Sequence, residues 1–192
     1  MHKVFVSYHH SQDQLYADSF REFYGQDEVT FLDRSLLAPV QSDDAEYIMR
    51  VIRQHGLKQS TVTIVLVGKE TRCRKYVDWE IYSSLRPVPG RSRNALLGVL
   101  LPGTDARDLP ARFLDNFRID RNHRQIGYAK LVTWEKIRPP ISRLEDILRQ
   151  WKDVDPRRNL DNAIRAAYQS RVKNGHLVNN DRLRMKRNKN CR

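Results

Sequence analysis

The chain has 192 residues, of which 40% are hydrophobic and 30% charged, with a formal net charge of +12. That is enough for one ordinary domain with an extension, and too apolar for a disordered chain. The longest apolar runs, Val62–Val67 and Ala95–Leu101, fall far short of the about 20 residues that cross a bilayer, so no membrane span is expected.

The N-terminal MHKVFVSYHH lacks the apolar core of a secretory signal, and Lys3–Tyr8 reads as a first strand. Gln12–Tyr24 places Leu15, Phe20, Phe23 and Tyr24 at helical spacings and stops at Gly25. Glu28–Leu32 is a second strand. Ser42, followed by Asp43 and Asp44, is a candidate N-cap for a helix carrying Ala45, Ile48, Met49 and Ile52, which ends near Gly56. Thr61–Val67 is a third strand, apolar on both faces as in a parallel sheet covered on both sides. The helix containing Glu80 follows, broken by Pro87, Pro89 and Gly90, and Ala95–Leu101 is a fourth buried strand. Beyond Pro102 a short helix at Pro110–Phe117 and a fifth strand at Leu131–Trp134 are expected. Pro139–Pro140 then precedes an amphipathic helix, Ile141–Trp151, and a last helix covers Leu160–Tyr168.

Strands alternating with helices of about 10–14 residues predict an α/β fold: an open parallel sheet of right-handed crossovers with helices on both faces. The expected division is an α/β domain over 1–135, a helical extension over 136–170 and a basic, flexible tail over 171–192. From Arg157 onward 11 Lys/Arg stand against 2 Asp/Glu, so the globular part is nearly balanced. It does not read as a nucleic-acid reader as a whole. A polyanion-binding arm is the other reading of the tail, weighed below a flexible extension because few aromatics interleave its charges. Cys73 and Cys191 could pair, but two cysteines make no disulfide scaffold, and free thiols in a reducing cytoplasm are expected.

Open sheets of this kind bind ligands outside the carboxyl ends of their strands. The loops there are SYHHSQD, DRSLLAPVQS, GKETRCRK and PGTD. Neither a dinucleotide fingerprint nor a P-loop is present, so phosphates would fall to Lys69, Arg72, Arg74, Arg34 or helix N-termini. The acidic pair and strand-end aspartate of a response regulator are missing, as is a serine-hydrolase elbow. His9 and His10 are adjacent and would point to opposite sides, so no metal site is expected. Glu80 sits at the edge of its helix's apolar stripe, near the end of a buried strand. It is either a rim residue pairing with Arg72 or Arg74, or a carboxylate facing a ligand.

The segments KVFVSYHHSQD and STVTIVLVGKETRCRKYVDWEIYSSL resemble the TIR-like proteins of bacterial antiviral defence of the Thoeris type, over roughly residues 1–135. The most specific matches are Phe5–His9, Thr61–Gly68 and the aromatic–glutamate pair Tyr76/Glu80, where many TIR domains have tryptophan in place of Tyr76. The resemblance implies a flavodoxin-like, TIR-type sheet and cleavage of the nicotinamide–ribose bond of NAD⁺, with NAD⁺ as substrate and no cofactor. It further implies a cyclic ADP-ribose-type signal read by a downstream effector, and self-association to complete the site. By similarity Glu80 is the catalytic glutamate, Ser7, Tyr8 and His9 line the nicotinamide-ribose end beside Tyr76, and Asp33 or Arg34 contributes from the second loop. Two alternatives stand beside this reading: a non-enzymatic interaction or adaptor module, and an N-ribosyl enzyme of the nucleoside deoxyribosyltransferase kind. Trp79 reads as a packing residue and Cys73 as a buried or incidental thiol, although Arg72 and Arg74 on its loop could lower its pKa; the Arg-rich segment Arg112–Arg124 reads as a solvated loop ahead of one that closes over a pyrophosphate.

Overall fold

A computed structural model describes residues 2–25, 31–33, 44–87, 90, 92–138 and 155–191. The elements run β1 (His2–Ser7), α1 (His10–Tyr24), β2 (Phe31–Asp33), α2 (Ala45–Val51), β3 (Val62–Val67) and α3 (Lys75–Ser84). They continue with β4 (Ala95–Leu100), α4 (Ala111–Leu114), β5 (Lys130–Thr133), α5 (Trp134–Ile137) and α6 (Pro156–Lys173). The five strands form one parallel sheet in the order β2-β1-β3-β4-β5. The predicted α/β, flavodoxin-like architecture is the observed one.

Alternation along the strands sorts the side chains onto two faces. Val4, Val6, Ile64, Leu66, Leu97 and Val99 pack under α1 and α6, against Ala17, Phe20, Tyr24, Leu160, Ile164 and Ala167. On the other face Val65, Val67 and Leu96 meet Val77 and Ile81 of α3 and Phe113 of α4. Phe5 meets Ile48 and Met49 of α2 together with Trp79. Within these clusters β3 is buried along its whole length, which is why it reads as an unbroken apolar run.

Several expectations shift. Leu15, placed on the apolar stripe of α1, is 82% exposed; the buried side of that helix is Asp13, Ala17, Phe20 and Tyr24. Asp44 rather than Ser42 caps α2, accepting from the Glu46 and Tyr47 N–H groups, and a π-helical turn over Ile52–Leu57 continues it. Trp134 starts α5 instead of ending β5. The last helix runs the full length of Pro156–Lys173, with the Asp155 carboxylate accepting from the Arg157 and Arg158 N–H groups and Pro156 in its first turn, a pairing of cap and proline that favours helix starts. The expected helix Ile141–Trp151 and most of the loop after β2 lie outside the described residues.

The larger correction concerns the tail. Residues 178–191, expected to be flexible, lie against α3 and α4. The Trp79 indole N–H donates to the Met185 carbonyl at 2.8 Å, and the Met185 N–H donates to Asp78 Oδ2 at 2.9 Å. Asn116 Nδ2 donates to the Asn179 carbonyl, and the Asn179 N–H returns a bond to Asn116 Oδ1. The Lys75 N–H at the start of α3 donates to Asn188 Oδ1, and the Lys189 N–H donates to the Cys73 carbonyl. Cys73 and Cys191, expected to be free thiols, are joined by a disulfide across 118 residues of sequence. Most of these bonds are made by backbone and amide groups, and composition, which counts charges, does not register them.

Candidate functional site

The order of the strands creates a switch point. β1 leads into α1 on one face of the sheet and β3 leads into α3 on the other, so the carboxyl ends of β1 and β3 border the crevice where such sheets bind ligands. Ser7 closes β1 on the face that Phe5 shares, toward α3. Glu80, in the middle of α3, comes back to meet it.

Ser7 Oγ donates to Glu80 Oε2 at 2.6 Å. Glu80 is 7% exposed and Ser7 is 1% exposed, and the only side-chain partner Glu80 has among the described residues is this serine. Burial pushes the Glu80 carboxyl up to about 8, with the Ser7 hydrogen bond opposing the rise. A carboxyl in this state is poised: neutral near pH 7 when the crevice is empty, and ionised once a cation is placed beside it. The salt bridge to Arg72 or Arg74 that a rim residue would make is not formed. Arg74 pairs with Glu70 instead.

Around this pair the predicted residues divide. His9 lies at the mouth of the crevice, its Nε2 2.8 Å from Ser11 Oγ. Burial, aided by the Arg74 charge, lowers its pKa to about 4, so the imidazole is neutral near pH 7 and its 4.0 Å approach to Glu70 is no ion pair. Tyr8 faces the other way. Alternation sends it into the core beneath α1, where it is 2% exposed, donates to Gln14 Oε1 at 3.0 Å and carries the Arg21 guanidinium over its ring. Tyr76 packs edge-on against Trp79 at 5.7 Å. Trp79 belongs to the core, as the sequence suggested. Asp33 ends β2, opposite Val4 in register; Arg34 lies outside the described residues.

Two buried carboxylates escaped the sequence reading. Asp13, in the first turn of α1, accepts from Thr71 Oγ1 at 3.1 Å, and Thr71 Oγ1 accepts from the Gly68 N–H at 2.9 Å. This ties α1 to the loop after β3 across the switch point. A side chain at position 68 would place its Cβ 2.2 Å from Asp13 Oδ1, so the close approach requires glycine. Burial raises the Asp13 pKa, against the Thr71 hydrogen bond. Asp78, two residues before Glu80, forms a buried pair with Arg112, whose Nε donates at 2.9 Å. Arg112 is fully buried, while its neighbours Arg118, Arg121 and Arg124 are exposed. The solvated-loop reading therefore fails at its first residue. No periodic signal marks either carboxylate, because each partner is distant in sequence.

Two clefts lie elsewhere on the described surface. One of about 550 Å³ runs between α6 and β5, and one of about 460 Å³ lies between the C-terminal segment and the loop after β3. Glu80 lines neither of these two. Among the described residues no cluster of three or more His, Cys, Asp or Glu could hold a metal. No described helix is long and apolar enough to cross a membrane.

No curated protein matches the chain. Residues 5–106 match the family of the Thoeris protein ThsB, TIR-like domain, a span that runs from the middle of β1 past the end of β4 and contains both Ser7 and Glu80.

Proposed function

As a member of the Thoeris ThsB TIR-like family, a module of antiviral defence, the protein cleaves the nicotinamide–ribose bond of NAD⁺, we propose, with Glu80 as the catalytic carboxylate. The observation that carries this reading is the buried Glu80 carboxyl held by Ser7 Oγ at 2.6 Å, at the switch point of the sheet.

The chemistry suits so sparse a site. When the C–N bond breaks, both electrons go to the nicotinamide nitrogen, which passes from a cationic pyridinium to a neutral base. No acid has to protonate the leaving group, and the pair of carboxyls that a glycosidase uses for that purpose is not required. The ribose becomes an oxocarbenium ion. A single fixed carboxylate beside it stabilises the charge most strongly where water is excluded. The pyridinium itself favours the ionised form of Glu80, so substrate binding releases the proton that the empty site retains. Ser7 then holds one carboxylate oxygen and leaves the other toward the sugar. Attack at the anomeric carbon by water, or by a nucleophile of the same molecule, gives a linear or a cyclic product. Where the attacking group is water or a hydroxyl, its proton passes to Glu80.

Mass spectrometry of small molecules from phage-infected cells tests this reading. Cells carrying the wild-type protein should lose NAD⁺ and accumulate an ADP-ribose-type product, and cells carrying Glu80→Gln should do neither. Unchanged NAD⁺ in wild-type infected cells would favour the non-enzymatic module.

A further inference from the structure

The cleft of about 460 Å³ is lined by Arg72 and Arg74 of the β3–α3 loop and by Arg182, Arg184, Lys186 and Lys189 of the C-terminal segment. Its single acidic lining residue, Asp78, is already spent on Arg112. We propose that this cleft is a binding site for an oligophosphate anion, the chemistry shared by a nucleotide's di- or triphosphate and by free inorganic polyphosphate. It is separate from the Glu80 crevice.

Three observations carry the inference. First, apart from the Arg182 and Arg184 ion pairs, the segment is docked by uncharged groups: the Met185 N–H and carbonyl, the Leu183 carbonyl, Asn180, Asn188, the Lys189 N–H and the Cys73–Cys191 disulfide. The docking does not use the Lys186 and Lys189 ammonium groups, which are exposed at the cleft. Second, the ion pairs are unevenly placed. Arg182 is held by Asp115 and Arg184 by Glu46, and Arg74 by Glu70. Arg72, Lys186 and Lys189 pair with no described acidic residue, and Arg74 Nε is buried without a hydrogen-bond partner. Third, the three cations without an acidic partner, Arg72 from the β3–α3 loop and Lys186 and Lys189 from the C-terminal segment, repel one another across the cleft, and an anion between them relieves that repulsion. Flexible ammonium groups and guanidinium forks together suit the dispersed charge of a phosphate chain.

The shape argues against a nucleic-acid strand. The cationic residues converge on a concavity of nucleotide size, and no aromatic residue lines it to stack a base. Arg118, Arg121 and Arg124, the other exposed arginines of the neighbouring segment, do not line it.

Isothermal titration of the full-length oxidised protein with sodium tripolyphosphate at low ionic strength tests the site. One anion should bind per chain, with affinity falling as salt is added. The double variant Lys186→Glu/Lys189→Glu should weaken binding at least tenfold. So should Arg72→Glu on the opposite wall. These three side chains are exposed and pair with no described acidic residue, so unfolding midpoints should not fall below the wild-type value. Glu80→Gln should bind tripolyphosphate normally, which separates this site from the proposed catalytic one. Displacement of tripolyphosphate by ADP but not by adenosine would assign the nucleotide source, and displacement by pyrophosphate alone the inorganic one. No heat of binding, or binding indifferent to charge reversal on both walls, overturns the proposal. So does an oligonucleotide that binds with an affinity rising with its length while tripolyphosphate fails to compete.

Discussion

Replacing Glu80 by glutamine should stabilise the protein increasingly as pH rises. In the folded chain the Glu80 carboxyl titrates near 8, against an ordinary value of 4.5. Between those values the folded state keeps a proton that the unfolded state has released. Stability is therefore complete below about pH 4.5 and declines as pH rises toward 8, at roughly 1.4 kcal/mol per unit through the middle of that window. From pH 5 to pH 8 the loss from this one group is about 3 to 4 kcal/mol, a large share of the 5–15 kcal/mol typical of a domain. Glutamine mimics the protonated acid, still accepts from Ser7 Oγ, and has nothing to release. Urea unfolding of both proteins at pH 5, 6, 7 and 8 isolates the effect, because every other titrating group is common to the two and cancels in the difference. The curves should nearly coincide at pH 5 and separate steadily, with Glu80→Gln the more stable. A difference that stayed constant from pH 5 to 8 would mean that Glu80 is solvated, and the poised-carboxyl argument would fall.

Ser7→Ala removes the hydrogen bond that opposes the rise in the Glu80 pKa. The carboxyl should titrate higher still, as followed by its ¹³C resonance, with stability lower by about 1 kcal/mol; a downward shift would contradict the assignment. Arg112→Ala leaves Asp78 buried without its cation and strips the C-terminal segment of its bonds to Asn180 and Leu183. Denaturant unfolding should show a loss of about 3 to 5 kcal/mol, and a loss below 1 kcal/mol would contradict the pairing. His9, held neutral by burial and the Arg74 charge, should give imidazole resonances that stay flat from pH 8 to 5 and move only near 4. The stability tied to it is present above 6.5 and lost as pH falls toward 4. A midpoint near 6.5 would place His9 in open solvent.

What the sequence revealed follows from what local pattern encodes. The β3 and β4 runs and the helix between them were readable because apolar continuity and helical spacing are short-range properties. Glu80 stood out as a charge at the edge of an apolar stripe behind a strand end. Its partnership with Ser7 follows from alternation, since Ser7 shares the face of Phe5, and the same rule turns Tyr8 away into the α1 core. The missed features all depend on residues far apart in the chain: Asp13 with Thr71, Asp78 with Arg112, and Cys73 with Cys191. Leu15 is misplaced because the buried side of α1 is the one that carries Asp13 against Gly68, a close approach visible only in three dimensions. The tail misled for a different reason. Its polar composition suggests a solvated chain, but its backbone carbonyls and N–H groups find partners on α3 and α4, and these groups are the same in every sequence.

The central claim concerns one carboxylate and one bond. Purified wild-type protein, incubated with NAD⁺ alone and under conditions that promote self-association, should release nicotinamide in step with NAD⁺ loss, and Glu80→Gln should release none while remaining folded. Nicotinamide release by Glu80→Gln at the wild-type rate would contradict the claim directly.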